Sequence, residues 1–144
     1  MFNCILLPID LSAETSWTKA APVAVRMARD DNAPLHVVTV LPDFGTSMVG
    51  DYFQKGFEEQ ALHEVGERLQ AWVAETIPKG VDVHPHVLVG RVYDQIIIAA
   101  DRLNADAIVM ASHHPELKDY LLGPNAARVV RHASQSVFVI RGDA

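Results

Sequence analysis

Apolar residues arrive along this chain in two alternating rhythms, and the alternation sets the expected architecture. Asn3 to Ile9 (NCILLPI) is a short continuous apolar run, as expected of a strand buried on both faces. Trp17, Ala20, Ala21, Ala24, Met27 and Ala28 then recur at helical spacing. Ser12 is placed to cap that helix, Pro22 should kink it or loosen its first turns, and Asp30, Asp31 and Asn32 end it. Leu35 to Leu41 (LHVVTVL) is a second strand, rich in β-branched residues. Pro42 to Asp51 reads as a loop, because Pro42, Gly45 and Gly50 interrupt both rhythms. Phe57, Ala61, Val65, Leu69, Trp72 and Val73 mark a long amphipathic helix, stopped by Pro78 and Gly80.

Val81 to Val89 (VDVHPHVLV) alternates more, and Pro85 within it points to a sheet edge. Gly90 turns into a helix whose face carries Tyr93, Ile96, Ile97, Ala100 and Leu103, with Asn104 as its C-terminal cap. Ala107 to Ala111 (AIVMA) is a further buried strand, and Ser112 to Gly123 a loop. Ala126, Val129, Val130 and Ala133 form a last helix face before the final strand, Ser136 to Arg141 (SVFVIR). Strict β-α alternation from end to end predicts one α/β domain over residues 1–144, a parallel doubly wound sheet with right-handed crossovers. Ligands of such sheets sit beyond the C-terminal strand ends where strand order reverses. That directs attention to Pro8 and Asp10 after the first strand, and to Ala111 through Ala126.

Composition narrows the functional classes. With 144 residues, 49% of them hydrophobic and 21% charged, the chain can bury a full core without a disulfide or a metal. It has one cysteine, Cys4, expected to be a buried, inert side chain. A net charge of −6 argues against nucleic acid as a partner. No apolar run reaches the ~20 residues of a membrane span, and the first residues lack a signal peptide's features, so a cytoplasmic location without membrane insertion is expected. The adjacent His113 and His114 lack an obvious third ligand, and His84 and His86 are expected as exposed residues of the edge strand; no metal site is expected. His63 is expected at the surface, Lys118 as a solvated loop residue, and His132 with Arg128 and Arg131 as complements to a helix dipole. Trp17 and Trp72 should be core or interface.

Four stretches, taken together, resemble the universal stress protein family, and its F/G-type branch most closely: ILLPIDLS, DAIVMASHHPELKDYLLG, NAARVVRHA and SVFVIR. The resemblance spans nearly the whole chain in order. It implies a five-stranded parallel sheet in the order 3-2-1-4-5. Many members bind ATP, so it further implies a site for ATP, with AMP or ADP as alternatives. The adenosine-holding roles would fall on Pro8, Asp10 and Val40, beside Ile9. The phosphate-holding roles would fall on Ala111, Ser112, His113, Gly123, Pro124 and Asn125, flanked by Met110 and Ala126.

The chain departs from the family's ATP pattern. Ala111 and His114 stand where its first two glycines fall, eight residues rather than nine separate His114 from Gly123, and Pro124 replaces Ser or Thr. Proline is accepted in the first helical turn, but it removes an N–H and a hydroxyl from an anion site. The resemblance also implies a homodimer, or a higher oligomer, through the unprotected edge of the last strand at Val137, Phe138, Val139 and Ile140.

The leading functional expectation is an ATP-binding regulatory protein acting as a homodimeric switch, not an enzyme. No Walker A loop and no recognisable nucleophile–base pair is present. A non-nucleotide dimeric scaffold for an unidentified protein partner is the alternative. A slow nucleotide-hydrolysing enzyme with His113 as acid–base is a weaker third. The Pro42 to Gly56 stretch is long for a connection, which suggests a lid or a partner surface.

Overall fold

A computed structural model describes residues 1–41, 55–112 and 123–142; for 55–57 and 123–124 the description covers the backbone alone. Five strands form one parallel sheet: β1 (Ile5–Pro8), β2 (Leu35–Leu41), β3 (Val83–Val89), β4 (Ala107–Ala111) and β5 (Ser136–Ile140). Their order is β3-β2-β1-β4-β5, as expected. Four helices connect them: α1 (Ala20–Asp31), α2 (Lys55–Thr76), α3 (Val92–Arg102) and α4 (Gly123–His132).

The strand order dictates the layering. From β1 the chain winds outward through β2 to β3, and right-handed crossovers place α1 and α2 on one face. It then returns past β1 to β4 and winds the opposite way, which places α3 and α4 on the other face. The two core clusters follow this division. Ile5, Leu7, Leu35 and Val37 pack with Ala20, Ala24, Leu69 and Trp72 of α1 and α2. Leu6, Val38 and Ile108 pack with Ile96, Ala100, Ala126 and Val129 of α3 and α4. Every residue of β1 is buried, since this central strand has a strand on either side and helices on both faces.

Several local signals act as expected, and others differ. Asn32 and Asn104 adopt the left-handed conformation at helix ends, with φ of 49° and 55°. Pro22 sits in the first turn of α1, where a backbone N–H has no intrahelical acceptor. The chain before it, at Glu14–Ser16, forms only a 3-10 turn, so the helix starts later than the apolar periodicity suggested. Ser12 does not cap α1, because the helix starts at Ala20 with Lys19 at its N-cap; Ser12 donates its N–H and hydroxyl to Asp10 instead. Val130 is exposed rather than part of the core face of α4. Trp17 and Trp72 meet edge to face, with ring centroids 5.8 Å apart. Cys4 is buried, and burial raises its thiol pKa, with the Asp106 carboxylate adding to the effect. Asp106 itself accepts hydrogen bonds from the N–H groups of Asn3 and Cys4, fixing the start of β1 against β4. Arg128 of α4 lies 5.1 Å from the ring centroid of Tyr93 on α3, and His63 pairs with Glu67 at the surface.

Of the edge-strand histidines, His84 is exposed as expected, whereas His86 is half-buried; both stack on His36 of β2, at centroid distances of 4.9 and 5.1 Å. His36 Nδ1 and His86 Nε2 are 2.9 Å apart, so the neutral pair shares one N–H. Burial lowers the pKa of His36, and a charge on His86 or His84 would lower it further, against an opposing pull from Asp82. Burial likewise lowers that of His86, with His84 second. The folded state therefore binds fewer protons here than the unfolded chain, whose histidines titrate near 6.5. Stability should be full above that value and decline as pH falls through it. Urea midpoints at about pH 7.5 and 5.5 measure this, and the double variant His36→Phe with His86→Phe should show a shallower acid-side decline.

Candidate functional site

A crevice of about 390 Å³ opens at the C-terminal ends of β1, β2 and β4, where the direction of winding reverses. Its size suits a small organic ligand. Pro8, Ile9, Val38, Val40, Ile96 and Met110 supply much of the apolar lining. Polar groups are few: Asp10, Ser12, Ser16, Thr39, Arg68 and Asn125. Asp10 and Arg68 are the two of these that carry charge.

The segment after β1 is held by its own hydrogen bonds. Ile9 extends the ladder, donating its N–H to the Val38 carbonyl at 2.8 Å. Asp10 then turns away from the sheet. Its N–H donates to Ser16 Oγ at 2.8 Å, and the Ser16 hydroxyl donates back to the Asp10 carbonyl at 3.0 Å. Asp10 Oδ1 accepts the Ser12 N–H at 2.9 Å and the Ser12 hydroxyl at 2.6 Å. This Asx-type turn fixes the carboxylate at the rim of the crevice. Its second oxygen has no protein donor among the described residues and remains available to a ligand.

On the opposite side α4 points its N-terminus at the crevice, with Asn125 and Ala126 in the wall. The first-turn N–H groups of a helix lack intrahelical acceptors and lie at the positive end of its dipole. Pro124 subtracts one of these donors. From the α2 side comes Arg68, whose Nη2 reaches the Leu11 carbonyl at 3.5 Å, a weak contact that leaves most of its donors open. Gly90 closes β3 onto β2 by donating to the Leu41 carbonyl at 2.9 Å. A side chain would be strained there, because φ is +139°.

The structure thus gathers Pro8, Ile9, Asp10, Val40, Met110, Ala111, Asn125 and Ala126 around one crevice. Ser112 lies just past β4, its N–H bonded to the Ile140 carbonyl at 2.9 Å, and does not line the wall. Gly123 and Pro124 form the backbone of the first turn of α4. His113, His114 and Lys118 lie outside the described residues, as do residues 42–54 of the expected lid or partner surface, Pro42 to Gly56, whose last two residues belong to the backbone of α2. Val137, Phe138, Val139 and Ile140 sit on the edge strand away from the crevice, each partly buried.

Sequence reasoning missed Ser16, Thr39, Val65 and Arg68 as wall residues. Thr39 could have been found from its place at the C-terminal end of β2, next to Val40. Val65 and Arg68 could not, because nothing in the sequence says how far along β2 and β3 the long helix α2 lies.

The sequence matches the universal stress protein family over residues 1–141. Universal stress protein G of Shigella flexneri is 34% identical over 143 residues, pairing 98% of this chain with all of that protein. Two solved structures share the fold at 22% identity. One is the universal stress protein from Archaeoglobus fulgidus in complex with dAMP, with a TM-score of 0.68 over 97% of this chain and 98% of that one. The other is a universal stress protein in complex with cAMP, with a TM-score of 0.64 over 99% and 98%.

The hydrogen bonds around Ser16 yield a stability expectation. The residue is nearly buried, and Ser16→Ala strands the Asp10 N–H without an acceptor. That should cost about 1–3 kcal/mol, measured by urea denaturation.

Proposed function

The chain belongs to the universal stress protein family, and on that premise we propose that it is a regulatory protein that holds an adenine nucleotide, ATP in the first place, in the crevice between β1 and β4. The carrying observation is the meeting of three elements at one crevice: an apolar slot, an open carboxylate oxygen on Asp10, and the first turn of α4. An apolar slot suits a flat base. A carboxylate oxygen with no protein donor suits the hydroxyls of a ribose. A helix N-terminus suits phosphate. The complexes of related folds with dAMP and cAMP support the same ligand class.

Nucleotide occupancy would act as a signal rather than as a step in turnover. The described walls hold one carboxylate and one guanidinium as their charged groups, which supports binding over acid–base chemistry. The signal would be read by a homodimer formed along β5. That strand pairs with β4 on one side only, and Val139 stands outside both core clusters. A second copy across a two-fold axis would satisfy the open backbone edge and cover Val139, together with its neighbours Val137, Phe138 and Ile140.

Two measurements test this reading. Calorimetric titration should show ATP binding to the natural protein and tighter binding to Pro124→Ser. Restoring an N–H and a hydroxyl to the phosphate end should gain roughly tenfold or more. Absence of binding by the natural protein, with binding by Pro124→Ser, would instead favour the dimeric scaffold that recognises a protein partner. Sedimentation velocity should show a dimer, and Val139→Lys should shift it to monomer with its helical circular dichroism retained. An unchanged dimer would place the interface elsewhere.

A further inference from the structure

Among the described residues only two polar side chains are buried, Ser16 and Thr39, and they differ in one respect. The Ser16 hydroxyl both donates and accepts in its exchange with Asp10. The Thr39 hydroxyl has no hydrogen-bond partner, although the residue is only 5% exposed. Among the described residues, the fully buried polar side-chain atoms left without a partner are Trp72 Nε1 and Gln135 Oε1; the Thr39 oxygen is not one of them, so it opens to the crevice rather than into the core. Its residue is part of the crevice wall.

The position of Thr39 says which part of a ligand it would meet. Along β2, Leu35 and Val37 belong to the core under α1 and α2, whereas Val38 and Val40 face α3 and α4. Alternation puts Thr39 with Leu35 and Val37. Thr39 and the start of α4 therefore reach the crevice from opposite faces of the sheet. They also lie on opposite flanks of β1, with β2 on one side and β4, which feeds α4, on the other. Two strand spacings, about 10 Å, separate those flanks, comparable to the reach of a nucleotide from its base to its phosphate. With the phosphate at α4, the heterocyclic base falls beside β2.

Resting on the nucleotide reading above, we propose that Thr39 is a specificity-determining residue whose unpartnered hydroxyl hydrogen-bonds the polar edge of the ligand's base. A hydroxyl both donates and accepts, so it can serve a ring nitrogen or an exocyclic amine. The base is thereby selected over an apolar ring of the same shape, since a site built to hydrogen-bond penalises a ligand that leaves its hydroxyl unpaired.

The experiment is calorimetric titration of adenosine and AMP into the natural protein, Thr39→Val and Thr39→Ser, with thermal unfolding of each free protein. Valine keeps the shape and removes the hydroxyl; serine keeps the hydroxyl. Thr39→Val should weaken adenosine and AMP by the same factor, roughly threefold to tenfold. Thr39→Ser should bind both within about twofold of the natural protein. The free Thr39→Val protein should unfold at the same temperature as the natural one or higher, because no protein hydrogen bond is lost. Unchanged affinity in Thr39→Val overturns the proposal, as does a loss confined to AMP, which would move the hydroxyl to the phosphate end. A lowered unfolding temperature of the free Thr39→Val protein also overturns it, since the hydroxyl would then be structural. If the natural protein binds neither adenosine nor AMP, the nucleotide reading itself fails, a result distinct from all of these.

Discussion

The structure depends on the complete burial of β1. Its four residues, Ile5 to Pro8, are buried by strands on both sides and by helices on both faces. A strand so placed cannot alternate polar with apolar side chains, and its sequence is accordingly a continuous apolar run. Once β1 is central, the winding must go outward to one side and then return to the other. The return reverses the direction of winding, moves the later helices to the opposite face, and leaves a crevice beyond the strand ends. The crevice is a consequence of this topology before any side chain is placed in it.

Side chains then give the gap a chemical character. On one rim, Ser12 and Ser16 expend their hydrogen-bonding capacity on Asp10, and the loop they stabilise holds a carboxylate with one oxygen open. On the other rim, the end of α4 presents backbone donors. Between them lies an apolar wall drawn from three strands and two faces of the sheet. Polar ends and an apolar middle match an amphipathic ligand in which base, sugar and phosphate follow one another. The same arrangement explains how an acidic chain can accommodate an anion: the favourable charge comes from backbone dipole and from Arg68, not from a basic patch.

The edges of the sheet are managed differently. On β3, Pro85 and the stacked histidines interrupt or crowd the outer strand, and Pro85 has no N–H to offer another chain. On β5 nothing comparable is present: SVFVI carries no proline and no charge. A sheet with one blunted edge and one open edge has a direction in which it can associate, which is the physical basis for placing a second copy at β5.

The alternation of continuous apolar runs with helical periodicity was enough to determine the class of fold, the parallel sheet, the edge position of β3 and most residues of both cores, though not the exposure of Val130, because burial demands leave a direct trace in residue type. Pro8, Asp10 and Ala126 were legible as crevice residues because strand ends and helix starts are written locally. The tertiary structure alone decided the rest. It put His36 of β2 against His84 and His86 of β3, although 50 residues separate His36 from His86 in the chain. It spent Ser12 on Asp10 instead of on a helix cap, and it carried Arg68 of α2 to the crevice rim. It left the Thr39 hydroxyl without a protein partner in the wall of the crevice. Each of these depends on the distance between segments remote in sequence, set by the register of neighbouring strands and the lie of α2, and local patterning contains no term for either.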